Sequence, residues 1–300
     1  MERHTFGKTG LEVSALGFGS AEIGFESASV NTVDKLLGSA LDAGLNVIDT
    51  AECYNVSEDL IGKTVAHRRN DFHLFTKCGH AAGIEGLQDW DPRLLEQSID
   101  RSLKRLQTDR VELVQLHTCS RELLEQGDVI AVLQKARDAG KTRFIGYSGD
   151  NDAAAYAIAC GAFDTLQTSI NIADQQVLDE NLPAARKANM GVIAKRPIAN
   201  AAWKHTDADA AGYTAPYWER LGQLKYEFLT PEATAEAAGI ALRFTLSQPG
   251  VHTAIVGTTK PDRWIQNARL LEAGALPQEQ LEKIRSRWKE IAGSDWIGQG

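Results

Sequence analysis

Apolar residues along the chain fall into short runs that alternate with longer segments of helical spacing. The segment after Asp91 and Pro92 places Leu95, Ile99 and Leu103 on one face. Asp91 suits the cap of that helix, and Pro92 suits its first turn. The short runs lack polar alternation, as in parallel strands that helices cover on both faces. These runs are 17–19, 47–49, 72–77, 111–117, 144–148, 165–169, 192–195 and 253–256.

Eight strand–helix units of about 30 residues each predict an α/β fold, the (β/α)8 TIM barrel. Residues 3–16 predict a β-hairpin before the first unit, and residues 277–291 predict an extra C-terminal helix. A doubly wound sheet is the alternative fold. That fold would require a GxGxxG motif after the first strand, and residues 17–23 do not contain it. We therefore expect a single barrel domain over residues 1–300.

Two further segments complete the order of predicted elements. Residues 196–229 form a long insertion after the seventh strand, and we interpret them as a loop. A helix is then predicted to begin at Thr230 and Pro231 and to run to about residue 246. Loops that follow barrel strands lie on the face where active sites form, so the aromatic residues of this insertion either wall a substrate pocket or anchor the loop to the barrel.

The composition of the chain narrows the classes of partner. Its 300 residues include 32 Lys and Arg against 40 Asp and Glu, a net charge of -8. This charge argues against non-specific binding to nucleic acid or to an anionic membrane surface. No apolar run reaches transmembrane length, and the N-terminus has no apolar signal core. With four scattered cysteines, these features favour a reduced, cytoplasmic protein with a small-molecule substrate, while the oligomeric state stays open.

Four ionisable residues lie at or just after the ends of consecutive predicted strands: Asp49, Tyr54, Lys77 and His117. The strand ends of a barrel share one face, so we expect these side chains to meet. Tyr54 is a weak acid whose pKa, normally about 10, a nearby Lys77 cation should lower. Asp49 would hold Lys77 charged, and His117 would hydrogen-bond to a substrate oxygen. This set suits proton donation to a carbonyl, whose reduction also needs hydride from a nicotinamide cofactor.

A candidate phosphate site follows the eighth predicted strand, where GTTKPDR runs into a helix. Lys260 and Arg263 are cations near a helix N-terminus, and there they oppose the helix dipole. An anion bound between them and the free backbone N–H groups would explain their position. A solvated surface pair is the alternative interpretation. The usual place of phosphate sites in barrels, near the seventh and eighth strands, favours the anion.

Eight stretches of the sequence, in this order, resemble the aldo-keto reductase family over nearly the whole chain. They are FGKTGLEVSALGFGS, DTAECYNVSEDLIG, FTKCG, VQLH, GYSGDN, LQTSIN, VIAKRP and IVGTTKPDRWIQN. The resemblance implies an NADPH-dependent oxidoreductase that reduces an aldehyde or ketone to an alcohol by hydride transfer. It implies that Tyr54 is the general acid of a tetrad completed by Asp49, Lys77 and His117.

The resemblance also implies the residues that hold the cofactor. Ser148 and Gln167 would contact the nicotinamide. The adenosine phosphate end would be held by Gly257, Thr258, Lys260, Arg263, Gln266 and Asn267. Further cofactor residues are expected at Gly19, Ser20, Asp49, Asn151 and Arg196. The chain departs from the family where Ser148 is followed by Gly-Asp-Asn, so Asn151 either replaces the usual amide or caps a helix. Lys260 and Arg263 favour NADPH, with NADH as the alternative.

Two other functions share some of these residues. A cofactor-binding regulatory subunit with little turnover would keep the cofactor site but would not need the tetrad. A lyase that forms a Schiff base on Lys77 would use the lysine, but Asp49 and Tyr54 fit that chemistry less naturally. A metal site is not expected, because the cysteine and histidine spacing matches no closed zinc pattern.

Overall fold

The structure, a computed structural model, describes residues 1–230 and 234–299 and contains ten strands within these ranges. Two strands, β1 (Arg3–Thr5) and β2 (Glu12–Ser14), form an antiparallel hairpin. The other eight form a closed parallel barrel in which the last strand pairs with the first. They are β3 (Leu16–Gly19), β4 (Val47–Asp49), β5 (His73–Cys78), β6 (Val111–His117), β7 (Thr142–Ser148), β8 (Thr165–Ser169), β9 (Gly191–Lys195) and β10 (Thr253–Val256).

Helices connect the strands and surround the barrel. The described helices are α1 (Ala21–Phe25), α2 (Val30–Asp42), α3 (Ser57–Val65), α4 (Pro92–Leu106), α5 (Arg121–Gln126), α6 (Asp128–Asp138), α7 (Asn151–Ala159), α8 (Gln176–Asp179), α9 (Asn181–Lys187), α10 (Ala208–Ala211), α11 (Ala215–Leu224), α12 (Thr234–Leu246), α13 (Arg263–Leu270) and α14 (Gln278–Ile291). Short 3₁₀ segments occur at Gly7–Thr9, Ala66–Asp71, Ala199–Lys204, Gly212–Thr214 and Leu271–Ala273.

The barrel, the hairpin and the extra C-terminal helix confirm the predicted fold class. Each predicted strand is present, with ends that shift by no more than two residues. Both faces of these strands are buried, by the barrel interior on one side and by helices on the other, and this explains their continuous apolar character. The helix predicted to begin at Thr230 and Pro231 is described from Thr234 onward, and Pro231 lies outside the described residues.

The insertion at 196–229 is not a plain loop, because α10 and α11 lie within it. The side chain of Asp207 accepts a hydrogen bond from the backbone N–H of Ala210 and so caps α10. The first turn of α11 contains a proline, and its inner face buries Tyr217, Leu221 and Leu224. These residues belong to an apolar cluster shared with α12 and α14. Burial of this face against neighbouring helices stabilises α11, which its own short pattern did not reveal.

The hairpin closes the N-terminal end of the barrel. Phe6 follows β1, is fully buried, and stacks on Phe75 of β5 with ring centroids 5.7 Å apart. Val13 and Leu113 belong to the same apolar cluster inside the barrel. Full burial of an aromatic side chain of this size contributes about 2–3 kcal/mol to folding. With this end filled by side chains, the polar strand-end residues lie at the opposite, C-terminal end of the barrel, where several of them, including Asp49 and Lys77, are buried.

Three properties of the described residues bear on membranes, metals and disulfides. No helix within 1–230 and 234–299 is long and apolar enough to cross a membrane. In the same part of the chain, no group of three or more His, Cys, Asp and Glu side chains is arranged to hold a metal ion. The four cysteines, all in described positions, are free thiols.

Candidate active site

The barrel brings the four predicted catalytic residues together at its C-terminal mouth. Asp49 ends β4, Lys77 lies near the end of β5, and His117 ends β6. The Lys77 ammonium donates hydrogen bonds to Asp49 Oδ1 at 2.5 Å and to the Thr50 carbonyl at 2.8 Å. The same nitrogen lies 5.2 Å from the centroid of the Tyr54 ring. The Tyr54 and His117 rings meet edge to face, with centroids 5.6 Å apart.

The turn that carries Tyr54 is held rigidly between β4 and α3. The backbone N–H of Glu52 donates to the Lys77 carbonyl at 3.2 Å, and that of Tyr54 donates to Ala51 at 3.0 Å. Gly24 of α1 packs so closely that a Cβ atom there would overlap the Tyr54 carbonyl. A side chain larger than hydrogen at this position would therefore displace the turn. These contacts fix the phenol relative to the lysine.

Asp49 and Lys77 form a buried ion pair, and each side chain is only 2% exposed. Burial by itself lowers the pKa of Lys77, but the charge and hydrogen bond of Asp49 outweigh burial and raise the pKa. The second carboxylate oxygen accepts a hydrogen bond from Gln115 at 3.3 Å. Lys77 is therefore a fixed cation beneath the Tyr54 ring.

Tyr54 remains protonated at neutral pH. Burial raises the pKa of its phenol above the ordinary value, and the Asp49 carboxylate adds to this rise. Lys77 acts in the opposite direction, as expected from the sequence. The expectation that Lys77 would produce a net decrease is wrong, because removal of the phenol from water disfavours its anion more strongly. The protonated phenol thus has a cation close to its ring.

His117 is a neutral imidazole at the edge of this cluster. Burial lowers its pKa well below the ordinary value, and the Lys77 cation lowers it further. Its Nδ1 atom lies 3.4 Å from the sulfur of Cys53. Its ring also contacts the ring of His80, with centroids 5.4 Å apart. An uncharged imidazole can donate one hydrogen bond to a substrate oxygen.

Sequence reasoning missed two neighbours of this cluster, His80 on the loop after β5 and Phe25 on α1. His80 hydrogen-bonds through Nδ1 to the Asp89 carboxylate at 2.8 Å, and its ring packs against Trp90. Phe25 of α1 contacts the Tyr54 ring from another side, with centroids 5.4 Å apart. The sequence signal that could have identified His80 was its position three residues after Lys77, at the end of a predicted strand. These side chains surround the phenol and the imidazole at the mouth of the barrel.

Two buried polar groups near the tetrad fit the predicted nicotinamide contacts. Ser148, the last residue of β7, is paired in register with Gln167 in the middle of β8. Within the described residues, the Ser148 hydroxyl and the Gln167 Nε2 atom are buried and have no hydrogen-bond partner. The side-chain oxygen Oε1 of Gln167 accepts a hydrogen bond from Gln115 Nε2 at 3.4 Å, so the side-chain amide nitrogen of Gln167 is directed away from that contact. A carboxamide, with an NH2 group that donates and a carbonyl oxygen that accepts, matches both groups.

The predicted phosphate residues surround the start of α13. Thr258 and Asn267 are buried, Gly257 and Arg263 are partly buried, and Lys260 is exposed, as is Gln266. The Thr258 hydroxyl accepts a hydrogen bond from the Lys260 backbone N–H at 3.1 Å. Lys260 and Arg263 make no ion pair with a carboxylate in the part of the chain that the structure describes. Two such cations beside a helix N-terminus are consistent with anion binding.

The remaining predicted cofactor residues contact the protein itself. Gly19 pairs with Asp49 in register, and the Ser20 hydroxyl donates to the Asp49 carbonyl at 2.8 Å. Asn151 exchanges two hydrogen bonds with Gly298. Arg196 donates to Ser169 at 2.8 Å and also contacts the C-terminal segment, residues 293–299. That segment therefore lies over the ends of β7 to β9, beside the proposed cofactor groups.

A second buried ion pair lies on the same side of the barrel. Lys195 Nζ is 2.9 Å from Asp150 Oδ2. Asp150 also accepts hydrogen bonds from the Thr168 hydroxyl at 2.6 Å and the Ser169 backbone N–H at 2.7 Å. Burial opposes ionisation of Asp150, but Lys195 and these donors outweigh it and lower the pKa. Asp150, two residues after Ser148, therefore ties β7, β8 and β9 together.

Comparison with known proteins identifies the family. The family model for the aldo/keto reductase family matches residues 15–289, so this chain belongs to the aldo/keto reductase family. The resemblance found in the sequence is thereby confirmed. The chain is an oxidoreductase of the class that uses a nicotinamide cofactor, and carbonyl reduction is its general chemistry.

Individual relatives are similar over nearly their whole length. L-galactose dehydrogenase of Arabidopsis thaliana is 28% identical, with 99% of this chain and 97% of that protein covered. D-threo-aldose 1-dehydrogenase of a Pseudomonas species is 26% identical, with 94% of each covered. The holo form of aldo-keto reductase AKR11C1 from Bacillus halodurans superimposes with a TM-score of 0.83 at 24% identity, with 99% of each chain covered. This structural likeness supports the fold.

Proposed function

We propose that this chain reduces an aldehyde or ketone to an alcohol with NADPH and that Tyr54 protonates the carbonyl oxygen. The observation that carries the proposal is the meeting of four groups at one point of the barrel mouth. A protonated Tyr54 lies over the Lys77 cation, which Asp49 holds, and the ring faces a neutral His117. A carbonyl oxygen between the phenol and the imidazole would receive a proton and a hydrogen bond.

Each residue of the tetrad has a separate task. Tyr54 gives up its proton as negative charge grows on the oxygen. Lys77 stabilises the phenolate that remains, and Asp49 keeps the lysine charged in a site with little water. His117 orients the carbonyl oxygen with a hydrogen bond. When bound, the nicotinamide cofactor supplies the hydride, which no side chain can supply.

The cofactor residues proposed from the sequence fit this reaction. Ser148 and Gln167 have unpartnered polar atoms suited to a carboxamide. Lys260 and Arg263 would bind a 2′-phosphate, and this favours NADPH over NADH. The adjoining positions at 257, 258, 266 and 267 would hold the rest of the adenosine end. Gly19, Ser20, Asn151 and Arg196 remain proposed cofactor neighbours, with contacts to this chain through some of their polar groups.

The substrate class and the cellular setting are also proposed. Two relatives carry the names of sugar dehydrogenases, so aldoses belong in a substrate panel beside simple aldehydes and ketones. Four free thiols support a reducing, cytoplasmic compartment. Pairing of β10 with β3 joins the last and first barrel strands, both of which lie within the family match, and this supports a single domain over 1–300.

The test of the proposal is the variant Tyr54→Phe. We expect NADPH-dependent carbonyl reduction to fall by about 10²- to 10⁴-fold, because the acid is removed while the ring stays. Tryptophan fluorescence should show unchanged affinity for NADPH. Tyr156→Phe is the matched control, since Tyr156 lies on α7 and stacks with Arg121 outside the barrel mouth. Near-wild-type turnover of Tyr54→Phe on a broad carbonyl panel would contradict the proposed acid.

A further inference from the structure

The residue directly before Tyr54 contacts the imidazole of the tetrad. The Cys53 sulfur lies 3.4 Å from His117 Nδ1, within hydrogen-bond distance for sulfur. Cys53 is only partly exposed, and it lies on the turn that the Glu52 and Tyr54 backbone bonds fix. His117 is fixed as the last residue of β6. The contact therefore joins two rigid elements, 64 positions apart in the chain.

The contact is informative because a neutral imidazole carries one N–H group. If Nδ1 accepts the thiol proton, the hydrogen of the ring is on Nε2, and Nε2 can donate to a substrate oxygen. If Nδ1 donates to sulfur, Nε2 has only a lone pair and cannot serve as that donor. Which atom is the donor in the 3.4 Å contact between Cys53 and His117 Nδ1 therefore determines whether Nε2 can donate a hydrogen bond.

Two features favour the thiol as donor. Burial raises the pKa of Cys53, so the group keeps its proton, and burial lowers the pKa of His117, so the ring accepts one. Imidazole nitrogen is a good acceptor, whereas thiol sulfur is a weak one. Within the described residues, no hydrogen-bond partner occupies His117 Nε2. That edge is therefore available to a ligand.

We propose that Cys53 is a positioning residue whose S–H group donates to Nδ1 of His117 and holds the ring in the Nε2–H form. No bond is broken, and no proton leaves the pair in this role. The inference rests on the proposed function, in which Nε2–H of His117 hydrogen-bonds to the carbonyl oxygen. It adds a residue to the reaction that touches neither substrate nor cofactor in the proposed arrangement, and acts through His117.

The proposal is tested by measuring the tautomer of His117 directly by NMR spectroscopy. Long-range ¹H–¹⁵N spectra of the full chain labelled with ¹⁵N-histidine separate the two nitrogen types, and His117→Gln assigns the signal. We expect the Nε2–H form in the wild type and in Cys53→Ser, which keeps a donor. Cys53→Ala should give a mixture of tautomers. It should also lower kcat by about five-fold with little change in KM, the fold-change expected for one neutral hydrogen bond.

The control for loss of a thiol is Cys160→Ala, since Cys160 is exposed at the end of α7 and far from the tetrad in the fold. We expect this variant to keep the wild-type spectrum and kinetics. Rescue by Cys53→Ser distinguishes a hydrogen-bond donor from a residue that only fills space. Wild-type His117 in the Nδ1–H form, or identical spectra and kcat for Cys53→Ala and the wild type, would overturn the inference.

The outcomes also separate this inference from the proposed function. A tautomer change in Cys53→Ala, in a protein that reduces no carbonyl, would support the positioning contact and refute the function. Loss of turnover in Tyr54→Phe, with no spectral or kinetic change in Cys53→Ala, would support the function and refute the positioning role. The spectrum of the protein without added cofactor is sufficient for the tautomer measurement.

Discussion

The buried pair Asp49–Lys77 gives a prediction whose magnitude follows from its burial. Each side chain is 2% exposed, so neither charge can be solvated by water if its partner is removed. Asp49→Asn keeps the shape of the side chain but leaves the Lys77 ammonium without an anion. Removing one partner of a buried pair costs about 3–5 kcal/mol in the free energy of unfolding. This is a large part of the total stability of a typical domain, about 5–15 kcal/mol.

A double-mutant cycle measures the interaction. Lys77→Met alone should also destabilise the fold, because it leaves a buried carboxylate with Gln115 as its remaining side-chain donor. The double variant Asp49→Asn/Lys77→Met contains neither charge, so its loss should be smaller than the sum by at least about 2 kcal/mol. Urea denaturation at pH 7 gives the four free energies of unfolding. All three variants should also lose most carbonyl reduction.

A matched pair on the surface provides the control. Lys135 lies 2.6 Å from Glu96, at a distance similar to that of the buried pair, but the two side chains are 74% and 45% exposed. Exposed pairs contribute about 0–1 kcal/mol, so Glu96→Gln should change the stability very little. Additive losses for Asp49→Asn and Lys77→Met, or a cost below about 1 kcal/mol for Asp49→Asn, would refute the idea that a charged lysine is held under Tyr54.

Two further predictions concern the cofactor and the pH dependence of stability. Arg263→Ala should weaken NADPH binding about tenfold or more and leave NADH binding nearly unchanged, because it removes a charged hydrogen bond to the 2′-phosphate. Fluorescence titration measures both affinities, and Arg269→Ala in the last turn of the same helix is the control. Equal weakening of NADPH and NADH binding by Arg263→Ala would contradict recognition of the 2′-phosphate by Arg263. Burial raises the pKa of Asp174 to about 7, so between about pH 4 and pH 7 the folded state binds more protons than the unfolded state and stability falls as pH rises. Asp174→Asn should remove the part of this fall that Asp174 contributes. Its free energy of unfolding relative to that of the wild type should therefore rise by about 2–4 kcal/mol between pH 4 and pH 8, at about 1.4 kcal/mol per pKa unit before allowance for local relaxation. Urea denaturation at several pH values tests this, and a difference independent of pH would contradict it.

The sequence by itself determined the barrel and the meeting of the tetrad. Parallel strands buried on both faces must be apolar throughout, so runs such as 111–117 are visible without a structure. Eight strand–helix units close into a barrel whose strand ends share one face. The positions of Asp49, Lys77 and His117 at these ends were therefore sufficient to predict that they meet.

Only the tertiary structure decided how those groups are tuned and what surrounds them. The net rise in the pKa of Tyr54 depends on how much water the packed turn excludes, and no local pattern encodes that quantity. The helix α11 depends on an apolar cluster formed with α12 and α14. The contact between Cys53 and His117, and that between Asn151 and Gly298, join distant parts of the chain. Burial and long-range contacts belong to the whole fold, whereas strand pattern and strand-end chemistry are local properties that the sequence carries directly.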